Sequence, residues 1–133
     1  MVPASFSEKN QVVPILTLYT DGASKGNPGH AGIGAVIYRD GKTLWEGKEY
    51  IGKTTNNTAE YRALILGLSF LREKGIMGRL TIFSDSQLMV RQLNGAYKIK
   101  QEHLRELASR VHGLLHFFPS HEIIHVPREQ NSK

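Results

Sequence analysis

The 133-residue sequence predicts one α/β domain on a five-stranded mixed sheet, three antiparallel strands followed by parallel additions, flanked by helices. Three observations carry that expectation. Three strand-like runs come first, and helix and strand chemistry then alternate. The strand-helix-strand order calls for a crossover that sets a later strand parallel to the first. No linker, low-complexity tract or repeat divides the chain, whose length suits a single core.

The elements follow in order. "ILTLYT" (15–20) is an apolar, β-branched run that Asp-Gly ends, so a strand is expected with a glycine-rich loop after it. "AGIGAVIYRDGKTLWEGKEYIG" (31–52) divides at Asp40-Gly41, a strong two-residue hairpin signal. "NNTAEYRALILGLSFLREKG" (56–75) reads as a helix capped by Asn57, with Glu60 as the capping-box partner and Gly75 at the end. It is apolar nearly all round, which predicts burial against the sheet. "RLTIFS" (79–84) is a fourth strand, "SQLMVRQLNG" (86–95) a short helix and "QEHLRELASRVHGLLHFF" (101–118) a longer amphipathic one. Pro119 stops that helix, and "HEIIHV" (121–126) is the last strand. The stripe Val111, Leu114, Leu115 and Phe118 is read as core packing.

Composition narrows the function. Seventeen Lys and Arg against twelve Asp and Glu give +5 and a pI near 9.6, which favours a polyanionic partner without requiring one. The absence of cysteine excludes disulfides, thiolate metal sites and cysteine nucleophiles, and suits a reducing compartment such as the cytoplasm. Residues 1–14 read as a flexible lead-in with neither signal-peptide nor membrane-anchor pattern, leaving 15–133 as the domain. "HGLLH" (112–116) lacks the glutamate and third ligand of a zinc motif, and "GASKGNPG" is no P-loop.

One internal echo points to a site. "LTLYTDG" (16–22) and "LTIFSDS" (80–86) share an apolar strand, a hydroxyl residue, an aspartate and a small residue. Parallel neighbours about 4.8 Å apart would bring Asp21 and Asp85 side by side at the sheet edge where ligands bind in open α/β folds. Each acid also has a local reading: Asp21-Gly22 as a turn, Glu60 as a cap partner, Asp85 as the cap of the short helix. Three converging carboxylates repel one another unless a proton or cation joins them, and all-oxygen ligation selects hard ions such as Mg²⁺. In a basic chain, that combination points to metal-dependent nucleic-acid hydrolysis.

"YTDGASKGNPG", "TTNNTAEYRALILGL", "IFSDSQLMVRQLNG" and "HVPREQN" resemble the successive motifs of ribonuclease H type 1, in order and in register over about residues 15 to 131. The resemblance implies an RNase H-like fold and cleavage of the RNA strand of an RNA–DNA hybrid with two Mg²⁺ ions, or Mn²⁺ as a substitute. It implies a metal-activated water as nucleophile and 5′-phosphate and 3′-hydroxyl ends. No apolar run approaches the roughly 18 residues that span a bilayer, and a monomer with no obligate protein partner is expected. Asp21 would bridge both metals, with Glu60 and Asp85 on the second. Asn27, Asn56, Asn57 and Gln87 match the family's minor-groove contacts, and Thr55 a phosphate contact. Such amides suit the RNA 2′-hydroxyl, because they both donate and accept hydrogen bonds.

The sequence departs from the family in three places. Asn131 matches an asparagine that precedes a fourth carboxylate, whose position would fall two residues beyond Lys133. This puts a normal first metal site in question. The loop histidine of many relatives is replaced by "VPREQN", where Arg128 could steady the scissile phosphate or simply lie on the surface. The long basic protrusion of some relatives is reduced to "AYKIK" (96–100), so Lys98 and Lys100 would give a weaker, salt-sensitive grip. The rival readings are a catalytically impaired hybrid-binding module, an RNase H-like DNA nuclease, and a basic protein-interaction domain.

Overall fold

The computed structural model describes residues 13–128. Most of the expected lead-in (1–12), and Glu129 and Asn131, lie outside the described residues. Five strands form one sheet in the order β3-β2-β1-β4-β5: β1 (Ile15–Gly26), β2 (Gly29–Arg39), β3 (Lys42–Thr54), β4 (Arg79–Ser84) and β5 (Ser120–His125). The first three pair antiparallel. β4 and β5 add in parallel, as the crossover argument requires.

Three helices complete the chain: α1 (Asn56–Lys74), α2 (Gln87–Leu93) and α3 (Glu102–Leu115). Helix α1 lies against the sheet and carries α3 on its outer side, which explains its apolar character all round. Leu16 and Leu18 of β1, Leu80 and Ile82 of β4, and Leu64 and Leu68 of α1 meet in the core at 2% exposure or less. From α3, Leu104, Ala108, Val111 and Leu115 are buried, one face of the amphipathic helix. Leu114 is only partly buried at its margin. On the other sheet face Tyr19 stacks on Phe83 and meets Tyr38 edge-on, and no helix among the described residues packs there.

The Asp40-Gly41 hairpin forms with φ of 51° and 85°, the left-handed pair that a type I′ turn needs. Gly75 ends α1 at φ 67°, its N–H bonding back to the carbonyl of Arg72. Two expectations are corrected. The segment read as a glycine-rich loop continues β1 to Gly26, because Asp21 through Gly26 pair with Gly34 through Gly29. The turn shrinks to Asn27-Pro28, joined by a cis peptide. Thr55, not Asn57, caps α1: its hydroxyl oxygen accepts the Thr58 N–H at 3.2 Å.

Candidate active site

The parallel ladder between β1 and β4 ends at the pair Thr20 and Ser84, so Asp21 and Asp85 are the next residue on each strand. β1 continues beside β2, and Asp21 faces Gly34 there, which has no side chain to crowd it. After Asp85 the chain turns away. The Ser84 hydroxyl accepts the Ser86 N–H, and Ser86 caps α2 by accepting from Met89 N–H at 3.2 Å. The cap reading of Asp85 is therefore corrected, since Ser86 takes that place.

Glu60 arrives from α1. With Thr55 as the cap, Glu60 lies five residues on, out of capping-box reach, and that local reading is corrected too. Its Oε1 instead accepts the Gly22 N–H at 3.2 Å, across to β1. Gly22 makes this approach possible: a Cβ there would lie 2.4 Å from the backbone carbonyl of Ala59. The Asp21-Gly22 pair is thus no turn, and its glycine serves helix-to-strand contact.

One oxygen from each of Asp21, Glu60 and Asp85 lies within 4.8 Å of the others. Glu60 is 7% exposed and the Asp85 side chain 5%. Burial, then the charges of Asp85 and Asp21, push Glu60 up to about 8. Burial raises Asp85 as well; Arg128 opposes that shift and Asp21 adds to it. The Arg128 Nε stands 3.6 Å from Asp85 Oδ2, with a side chain 70% exposed. Three crowded oxygen donors, two of which, Glu60 and Asp85, hold protons above their ordinary range, fit a hard divalent cation, which supplies the missing positive charge. His112 and His116 acquire a neighbour that their spacing did not suggest: both lower the His121 pKa, after burial. Among the described residues, however, the acid trio is the one set whose ligand atoms converge.

The predicted polar contacts divide into groups. Asn27 Oδ1 accepts the Asn56 N–H at 3.0 Å, while Asn56 Oδ1 accepts from Ser24 N–H at 2.8 Å. The β1–β2 turn and the α1 N-terminus are thereby clasped together beside the acids. Asn57 turns the other way and donates from Nδ2 to Gln92 Oε1 at 3.4 Å. Thr55, besides capping, donates to the Thr58 hydroxyl, which contacts His103 Nε2 at 3.1 Å. Gln87 is exposed at the start of α2. Lys98 and Lys100 are exposed on the stretch before α3, where the backbone carbonyl of Lys100 accepts from Arg105. Arg91 covers the Tyr97 ring and donates to its hydroxyl at 2.9 Å.

Sequence reasoning missed Gly22, Ser24, Gln92 and His103. The Asp-Gly pair after a strand is a usable signal for Gly22. The others are joined to the site only by the tertiary fold. A groove of about 600 Å³ also opens on the helix-free sheet face, lined in part by Tyr19, Asp21, Val36, Lys48 and Tyr50.

A sheet in this order, with three carboxylates where its parallel ladder ends, defines an RNase H-like domain. Residues 19–133 match the reverse transcriptase-like family. Ribonuclease HI of Halobacterium salinarum is 42% identical over 116 residues, 86% of this chain and 58% of that protein. The bifunctional protein Rv2228c of Mycobacterium tuberculosis is 40% identical over 119 residues, 88% of this chain and 32% of its own. The chain thus spans about half or less of these curated relatives. The crystal structure of the Halobacterium salinarum RNase H1 superposes with a TM-score of 0.82 at 42% identity, covering 88% of this chain and 89% of that one. LC11-RNase H1 in complex with an RNA/DNA hybrid gives 0.82 at 42% identity, with 88% of each chain covered. The chain belongs to the ribonuclease H type 1 family.

Proposed function

We propose that this chain is a ribonuclease H, hydrolysing the RNA strand of RNA–DNA hybrids at a site built from Asp21, Glu60 and Asp85. The observation that carries the reading is the convergence of these three carboxylates within 4.8 Å. The relative solved with an RNA/DNA hybrid, 42% identical to this chain, supports the substrate class.

The three carboxylates would hold two Mg²⁺ ions, or Mn²⁺ in their place, with Asp21 a ligand to both and Glu60 and Asp85 to the second. When bound, the ions supply Lewis-acid stabilisation of the attacking and leaving oxygens at the phosphodiester. The protein positions that charge. Glu60 would release its retained proton to solvent as a cation took its place, and its bond to the Gly22 N–H holds the carboxylate beside the two aspartates. Asn27, Asn56, Asn57 and Gln87 face the minor groove, where the 2′-hydroxyl separates RNA from DNA. Thr55, Lys98 and Lys100 meet backbone phosphates. Arg128 exchanges its pairing with Asp85 for the scissile phosphate. Attack by water leaves 5′-phosphate and 3′-hydroxyl ends. The domain, residues 15–133, acts as a cytoplasmic monomer. No helix among the described residues is long and apolar enough to cross a membrane.

A hybrid-binding module with impaired catalysis is the second reading. The ion pair between Arg128 and Asp85 favours it, by placing a side-chain cation against one of the three acids. Cleavage of RNA–DNA hybrid, duplex RNA and duplex DNA, each compared with binding, separates the readings. The nuclease cuts RNA in the hybrid alone. The module binds the hybrid without cutting in either Mg²⁺ or Mn²⁺. Cutting of duplex DNA contradicts both.

A further inference from the structure

The N-terminal turns of α1 carry a polar chain that the carboxylate cluster does not use. Tyr61 is fully buried. A buried hydroxyl needs an acceptor, and the Tyr61 O–H donates to Gln92 Oε1 at 2.8 Å. The same oxygen accepts Asn57 Nδ2 at 3.4 Å. One oxygen on α2 therefore sets the polarity of two groups on α1. The phenol holds Gln92 with Oε1 toward α1, and that oxygen holds Asn57 with its NH₂ turned inward.

The consequence falls on the other end of the Asn57 amide. Its Oδ1 is closed off from water and has no hydrogen-bond partner among the described residues. Buried acceptors are nearly always satisfied, and an orphan needs an explanation. Here the missing partner is a hydrogen-bond donor of the bound duplex, which reaches Oδ1 once docking displaces the atoms that cover it in the free protein.

We propose that Gln92, anchored by Tyr61, is a positioning residue that presents Asn57 as a hydrogen-bond acceptor to a donor group in the minor groove of the bound duplex. This rests on the reading of Asn57 as a groove contact. The groove offers two donors of that kind, the 2′-hydroxyl and the guanine 2-amino group. The Asn57 amide could serve either donor or acceptor groups if free to flip; held by Gln92, it discriminates.

The test uses the full chain with Gln92→Met and Gln92→Glu. Methionine removes the acceptor at similar volume, and glutamate restores it. NMR of the free protein first reports on the Asn57 side-chain NH₂ protons. They are shifted and slow to exchange in the wild type and in Gln92→Glu, and lose both properties in Gln92→Met. An Asn57 NH₂ that exchanges freely in the wild type overturns the proposal, whatever the substrate.

Steady-state cleavage then compares hybrids carrying inosine for guanosine, or a single 2′-deoxy position, with the unmodified hybrid. The wild type prefers the unmodified hybrid by about tenfold over one of the two, the scale of one hydrogen bond, and that one identifies the donor. In Gln92→Met the preference disappears and the loss falls in KM rather than kcat. In Gln92→Glu the preference persists even though added negative charge weakens all duplexes alike. A full preference retained by Gln92→Met overturns the proposal. A wild type with protected NH₂ protons that binds no hybrid instead refutes the hybrid reading, and the groove contact with it.

Discussion

Glu60→Gln gives the sharpest physical test of the acid cluster. The folded protein holds the Glu60 proton up to about 8 against an ordinary value of 4.5, through burial first and then the charges of Asp85 and Asp21. The folded state therefore binds more protons than the unfolded chain between those two values, and stability falls as pH rises through the interval. The contribution is fully present below 4.5 and lost above about 8. Linkage with these two values gives a loss of about 1 kcal/mol by pH 5 and about 4 kcal/mol by pH 8, hence about 3 kcal/mol between them. Glutamine keeps an acceptor for the Gly22 N–H but cannot ionise. Urea unfolding in EDTA at several pH values should find the variant gaining about 3 kcal/mol relative to the wild type from pH 5 to pH 8. Saturating Mg²⁺ should recover much of the difference in the wild type, since a ligand that binds only the folded state stabilises it. Wild type and variant running parallel across this range would refute the coupled, buried carboxylate.

Three further outcomes follow from the same geometry. Asp85→Asn should lower hybrid cleavage by at least about a hundredfold, the scale of losing one charge-stabilising group, while hybrid binding measured by anisotropy persists. Gly22→Ala places a methyl group against the Ala59 carbonyl; calorimetry should find a loss of about 1–3 kcal/mol, and Mg²⁺ titration a weakened site as Glu60 is displaced. Thr55→Ala should cost about 1 kcal/mol in thermal unfolding through loss of the α1 cap, a cost that Asn57→Ala avoids because Asn57 does not cap the helix.

The parts of this molecule legible in sequence are those fixed by local pattern or by a repeated pattern. The paired phrases ending in Asp21 and Asp85 revealed the acid pair, because each strand alternates its side chains and the parallel ladder keeps equivalent positions level. Asp40-Gly41 and Gly75 were legible because their backbone angles demand those residue types. Glycine, serine and lysine in residues 22–26 argued for a loop, yet backbone pairing to β2 overrode that composition. Both cap errors came from neighbours able to do the same job: Thr55 stands two residues before Asn57, and Ser86 directly follows Asp85. The chain from Asn57 through Gln92 to Tyr61 was not legible at all. It joins residues 31 and 35 apart in sequence, and only the packing of α2 beside α1 brings them together.

The central claim is metal-dependent hydrolysis of RNA by water at the carboxylate cluster. The most direct measurement is the end chemistry of an end-labelled RNA strand, paired to DNA and treated with this chain in Mg²⁺, in Mn²⁺ and in EDTA. The account predicts cutting in the metals alone, with 5′-phosphate and 3′-hydroxyl ends. Cutting that survives EDTA, or ends carrying a 2′,3′-cyclic phosphate, would mean that the RNA's own 2′-hydroxyl is the nucleophile and would contradict it.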